Sequence, residues 1–199
     1  MLLAFATSNT NKITEVSALM PKGYSVIGLK DIELLDDIPE TGTTLKQNSF
    51  LKASYVVNLL KQKNNEIEVF ADDSGLEVEA LNNAPGVYSA RYAGIPKNDE
   101  ANNLKLLKEL TNITNRKARF VTVITFISKN QTYYFEGEVK GTISSKLLGN
   151  NGFGYDPLFI PQGYDITFAE MTLELKNKIS HRAIAIAKFR NFLSKHLTS

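Results

Sequence analysis

The chain has 199 residues, 43% of them hydrophobic and 22% charged, with a formal net charge of +2; it can bury a full core as one domain or one two-lobed unit, and its charge is too small to imply nucleic-acid binding. It has no cysteine and two histidines, which excludes disulfides, thiolate zinc sites and cysteine nucleophiles and argues against a structural zinc. Any metal is therefore expected on oxygen ligands. No apolar stretch reaches about 18 residues, and the start, Met1 to Ala6, lacks a basic flank and a long apolar region, so a cytoplasmic protein without a membrane partner is expected.

Leu2 to Ala6 is a short apolar run that reads as a buried strand. The polar loop Thr7-Ser8-Asn9-Thr10-Asn11-Lys12 follows, and then Ile13, Val16, Leu19 and Met20 recur at helical spacing until Pro21 and Gly23 end the pattern. Tyr24 to Leu29 reads as a second strand and Pro39-Glu40-Thr41-Gly42 as a turn. Thr44-Leu45-Lys46-Gln47 has the pattern of a capping box opening a long helix with Leu45, Ser49, Ala53, Val56 and Leu60 on one face. Glu68 to Ala71 reads as a strand, and Asp99 as the cap of a helix carrying Leu104, Leu107 and Leu110. Alternation in Ala118-Phe120-Thr122-Ile124-Phe126 and in Tyr133-Phe135-Gly137-Val139, separated by Lys129-Asn130, predicts a β-hairpin. Ser180 opens a last helix with Ala183, Ile184, Ala187 and Leu193 among its buried positions; its basic residues Lys188, Arg190, Lys195 and His196 read as a solvated face. Helices and strands intermix, and the hairpin makes the sheet mixed, so the fold class is α/β with a mixed β-sheet flanked by helices. No repeat and no Gly-, Ser- or Pro-rich linker divides residues 1–199 into separate domains.

Four segments carry chemistry. Phe70-Ala71-Asp72-Asp73-Ser74-Gly75-Leu76 ends an apolar run with two adjacent carboxylates, a hydroxyl and a glycine. A small hard cation such as Mg²⁺ needs oxygen ligands, and core packing cannot satisfy a carboxylate pair at a strand end. On a strand Asp72 and Asp73 point to opposite faces, so one is expected to hold the metal while the other supports it or faces away. The competing reading is a plain turn closing the strand. The loop Thr7 to Lys12 stands where a helix start offers unsatisfied N–H groups to an anion, with Asn9 and Lys12 as leading phosphate ligands. It has no glycine, so it is neither a Walker loop nor a dinucleotide fingerprint, and it competes with an ordinary turn capped by Asn or Thr. In Gly152-Phe153-Gly154-Tyr155-Asp156-Pro157 the glycines let backbone approach a flat ligand and Phe153 could stack on a base; alternatively Phe153 and Tyr155 pack into the core. Lys176 and Ile179-Ser180-His181-Arg182 gather donors at the start of the last helix, against the alternative of a capping or surface histidine. A Ser74-His181-Asp triad lacks the Gly-x-Ser-x-Gly elbow.

Taken in order, these segments resemble the inosine triphosphatase family, pyrophosphatases of non-standard purine nucleoside triphosphates. The match reads Ala6-Thr7-Ser8-Asn9 with Lys12, then Glu40-Thr41-Gly42, Ala71 to Leu76, Ala84-Pro85-Gly86-Val87-Tyr88-Ser89-Ala90-Arg91-Tyr92, Gly152 to Pro157 and Ile179 to Arg182. It departs at Ser8, where bacterial relatives usually carry glycine. The resemblance implies two lobes around a central cleft, a homodimer, and Mg²⁺-dependent hydrolysis of ITP, dITP and XTP to the monophosphate and pyrophosphate, which keeps these bases out of DNA and RNA. It implies Asp73 as acceptor of the water proton and, with Glu40, as metal ligand, and Asp72 as organiser of the metal's surroundings. The substrate-binding residues it implies are Thr7, Ser8, Asn9, Thr10, Asn11, Lys12 and Ser74, together with Phe153, Gly154, Tyr155, Asp156, Lys176, His181 and Arg182. Donors from Lys176, His181 or Arg182 would favour a 6-oxo purine over adenine. Two rivals remain at this level: a related enzyme of the Maf type, acting on modified pyrimidine or guanine nucleotides, and a non-catalytic nucleotide or nucleic-acid binder using the basic last helix.

Overall fold

A computed structural model describes residues 1–34, 38–63, 67–129 and 131–196. Its elements are β1 (Leu2–Phe5), α1 (Thr10–Leu19), β2 (Ser25–Ile27), α2 (Leu45–Gln62), β3 (Glu68–Val78), β4 (Ala84–Pro85), α3 (Asp99–Glu109), β5 (Lys117–Ser128), β6 (Gln131–Ile143), β7 (Phe159–Pro161), α4 (Leu173–Ile179) and α5 (His181–His196). The chain forms two compact units, the first from Met1–Asp73, Thr122–Gly137 and Arg182–Ser199, the second from Ser74–Val121 and Glu138–His181. Strands β3, β5 and β6 each give residues to both.

In the first unit the strand order is β2-β1-β3-β5-β6, with β1 parallel to both of its neighbours. The sheet is covered on both faces, which is why β1 reads as an unbroken apolar run. Leu3, Phe5 and Phe70 pack with Val16 of α1 and Ala185, Ile186, Phe189 and Leu193 of α5. Ala4, Ala6, Val69 and Ala71 pack with Ala53, Val56 and Leu60 of α2. Alternation along β3 thus sends Phe70 to one layer and Val69 and Ala71 to the other. In the second unit β4 pairs antiparallel with β3 and β7 with β6, around a core of Leu76, Val78, Leu106, Leu110, Phe120 and Phe159. The sheet is mixed, as the sequence predicts. The hairpin also forms: β5 and β6 are neighbours joined across two residues, a connection only antiparallel strands allow. Asn130 and the side chain of His196 lie outside the described residues.

Several sequence expectations are corrected. Asp72-Asp73-Ser74-Gly75 neither ends a strand nor forms a turn, because β3 runs on to Val78. The strand stays in the sheet beside β5, and the partners of both aspartates come from other elements. The cap of α3 is Asn98, whose side chain accepts from Ala101 N, and Asp99 is the first helical residue. Leu106 rather than Leu104 fills the core: Leu104 is exposed, while Asn103, Leu106 and Leu110 follow a helical stripe. Likewise Ala187 is exposed, since the buried face of α5 runs through Ala185, Ile186, Phe189 and Leu193. The second strand ends at Ile27, and α4 precedes the last helix as a separate element, capped by Thr172. The capping box of α2 is shifted: Thr44 accepts from Gln47 N, but the Gln47 side chain reaches back to Thr43 N.

Candidate active site

The first unit gathers acids and cations that β3 sorts onto its two faces. On the Phe70 face, Asp72 receives Lys12 Nζ of α1 at 2.7 Å and Arg182 Nε of α5 at 3.1 Å. Arg182 also donates Nη1 to Glu15 of α1 at 2.6 Å, and both side chains are almost wholly buried. On the Ala71 face, Asp73 receives Lys52 Nζ of α2 at 3.0 Å, and the same ammonium reaches Glu40 at 3.0 Å. The turn carrying Glu40 is fixed by Gly42 N donating to Asn48 Oδ1 at 2.8 Å. A Cβ at Gly42 would stand 2.7 Å from that oxygen, so only glycine fits.

The two adjacent aspartates are driven in opposite directions. Burial pushes both carboxyls up, but at Asp72 the charges of Lys12 and Arg182 outweigh it and hold the group well below the usual carboxylate range. At Asp73 burial prevails over Lys52 and Lys12, with Glu40 adding to it, and the group is raised. Burial would lower the Lys52 ammonium, but Asp73 and Glu40 outweigh it and raise it. Lys12 is lowered by burial despite Asp72. Asp73 Oδ2 is buried without a hydrogen-bond partner among the described residues, an arrangement costly for a carboxylate unless something else meets that oxygen.

The loop before α1 is part cap and part donor array. Asn9 Oδ1 accepts from Asn11 N at 3.0 Å and Lys12 N at 3.2 Å, so the cap already uses two helix-start N–H groups. Thr7 Oγ1 accepts from Asn9 N. Ser8, Asn9, Thr10 and Asn11 are exposed, with Thr7 and Lys12 half-buried; the hydroxyls of Thr7, Ser8 and Thr10, the Asn9 and Asn11 amides and the Lys12 ammonium are donors this loop can turn to an anion.

The second unit holds the aromatic segment. Asp156 Oδ2 accepts from Phe153 N at 2.9 Å and from Lys176 Nζ at 2.6 Å. That carboxylate fills the place where a Gly152 Cβ would stand, 2.0 Å away, and Gly152 has φ +76°. Phe153 is half-buried, with Lys176 Nζ 4.9 Å from its ring centroid and within cation–π range. Tyr155 packs in the core and donates its hydroxyl to Ser89 O. His181 is buried and stacks on Phe120, ring centroids 4.5 Å apart. Ser74 is half-buried in β3. Adjacent residues His181 and Arg182 therefore serve different units.

A family model described as the Ham1 family matches residues 3–192. The chain belongs to the Ham1 family. It is 50% identical to a dITP/XTP pyrophosphatase of Porphyromonas gingivalis, over 96% of this chain and 96% of that one. It is 48% identical to the dITP/XTP pyrophosphatase of Flavobacterium johnsoniae, over 98% of each. The solved Ham1 protein of Staphylococcus aureus superposes with a TM-score of 0.86 at 43% identity, covering 98% of this chain and 99% of that one. Against this Ham1 background, sequence reasoning missed Lys52 and Glu15. A signal was present: Lys52 interrupts the buried stripe of α2 between Ser49 and Val56, and Glu15 lies beside Val16 on the buried side of α1.

Proposed function

We propose that this Ham1-family protein hydrolyses dITP, XTP and ITP to the nucleoside monophosphate and pyrophosphate with Mg²⁺, as a cytoplasmic homodimer that keeps these bases out of DNA and RNA. The observation that carries the reading is the opposed pair Asp72 and Asp73. Two titratable groups pushed apart by their surroundings divide into a permanent anion and a proton acceptor. Asp72, held ionised by Lys12 and Arg182, is the fixed charge that organises those cations. Asp73, raised by burial and carrying an oxygen without a hydrogen-bond partner among the described residues, is the base that takes the proton of the attacking water.

Glu40 and Asp73 fit an oxygen-seeking cation, since both reach the same Lys52 Nζ. Two carboxylates together with substrate phosphates are a donor set suited to Mg²⁺. Bound there, Mg²⁺ would supply positive charge against the triphosphate and polarise the phosphorus under attack. Lys12, Ser8, Thr10 and Ser74 hold phosphate oxygens, and Phe153, Lys176 and His181 receive the base. Pyrophosphate release from ITP, dITP, XTP, GTP and ATP, with and without Mg²⁺, tests the reading. Release of orthophosphate instead, or no preference for the 6-oxo purines ITP, dITP and XTP over ATP, overturns it.

Lys12→Ala is expected to weaken ITP binding far more than inosine binding, because only the triphosphate carries the charge that the ammonium meets. Calorimetry with both ligands decides, and equal losses would remove Lys12 from the phosphate site. Base recognition divides differently. Phe153→Ala should lower kcat/KM for ITP, GTP and ATP by similar factors, since stacking does not distinguish bases. His181→Phe keeps an aromatic ring on Phe120 but loses the polar ring, and it should narrow the ITP-to-ATP ratio by roughly tenfold. If that ratio survives His181→Phe and collapses in Phe153→Ala, the two roles are exchanged.

A further inference from the structure

Helix α3 carries a polar pair that no catalytic step uses. Asp99 and Asn103 lie four residues apart, on one side of the helix, and both bond to the same residue. Asp99 Oδ2 accepts from Gly154 N at 2.7 Å, and Asn103 Nδ2 donates to Gly154 O at 2.8 Å as well as to Asp99 O at 2.9 Å. Gly154 has φ +61°, a conformation that costs an L side chain energy, and it follows directly on Phe153, whose own N–H is held by Asp156. Both polar groups of the Gly154 residue and the amide before Phe153 are thereby fixed.

Asn103 is 3% exposed on the stripe that continues through Leu106 and Leu110, and its Oδ1 has no partner among the described residues. Burying an amide with an unmet acceptor on an apolar stripe is unfavourable; the chain gains from it only the bonds its Nδ2 makes. We infer that Asp99 and Asn103 are positioning residues that clamp Gly154 and so hold Phe153 ready as the platform for the purine base. The inference rests on the stacking role given to Phe153 above. A loop already ordered before binding loses less entropy when the ligand arrives, and that difference appears as affinity.

The test is calorimetry of the full-length protein with inosine and with inorganic tripolyphosphate, alongside ITP kinetics. Asp99→Ala and Asn103→Leu should each weaken inosine binding by about tenfold, the scale of one ordered hydrogen bond to a charged or buried group. Tripolyphosphate binding stays unchanged, and KM for ITP rises while kcat moves by less than about twofold. Asp99→Asn should keep inosine affinity, because a carboxamide oxygen accepts the same bond. Asn103→Leu should unfold at no lower temperature than the parent, which separates positioning from a merely structural role. Unchanged inosine affinity in Asp99→Ala and Asn103→Leu, with a loss in Phe153→Ala, overturns the clamp alone. Unchanged affinity in Phe153→Ala overturns the stacking role itself, and the clamp's purpose with it.

Discussion

Replacing Asp73 with asparagine is expected to lower turnover by at least about 10²-fold, the lower end for general base catalysis, with circular dichroism unchanged. The exchange nearly preserves size and removes a carboxyl that is buried and raised toward neutrality. Stability should not fall with activity. A carboxylate whose pKa is raised by folding opposes the folded state once pH exceeds its unfolded pKa, so losing that charge removes a penalty. Lys52 loses one partner but retains Glu40 at 3.0 Å. The expected signature is an inactive protein of unchanged or raised melting temperature. A near-parental rate would remove Asp73 from the role of base.

Arg182→Met should do the reverse, acting first on stability. The guanidinium joins Asp72 and Glu15 across α5, β3 and α1, with side-chain exposures of 3%, 2% and 6%. Removing one partner of a buried ion pair typically costs about 3–5 kcal/mol, because the charge left behind has lost its compensation. For a chain of this size that lowers the melting temperature by on the order of 10 °C. The pH dependence has a definite sign. Asp72 is depressed by its cations, so its stabilisation is present above the unfolded carboxylate pKa and is lost as pH falls through the folded one. The gap between parent and variant should therefore be widest near neutrality and narrow in acid. Adding Glu15→Leu should recover part of the loss, since removing both partners costs less than removing one. A melting temperature within about 2 °C of the parent would mean the pair contributes little.

Much of this was legible in the sequence. The paired aspartates announced themselves as carboxylates ending an apolar run, and a two-residue period sent them to opposite faces, as found. The strand's continuation through Ser74 and Gly75 was not legible. Asp-Asp-Ser-Gly is turn chemistry locally, but here it lies in a strand that neighbours β5 and pairs with β4, while cations from α1, α2 and α5 meet its two carboxylates, a tertiary override of propensity. Lys52, Glu15 and Asn103 escaped for one shared reason. Each is polar on a buried helix face, and such residues read as interruptions of an apolar pattern until their partners are seen. Arg182 could not be separated from His181 in sequence, because neighbours on the first turn of a helix point about 100° apart. Leu104 and Leu106 differ by the same geometry: spacing alone offered two stripes on α3, and packing chose the one containing Leu106.

The ammonium of Lys52, shared between Glu40 and Asp73, bears on the order of events in the protein's life. Many small metalloproteins must meet their ion in order to fold, because their ligands repel one another until it arrives. Here the chain brings its own monovalent placeholder, and the two acids are already drawn together around it. Folding and loading would then be separate events: under the function proposed above, a divalent ion would take over a meeting point whose charges Lys52 already balances.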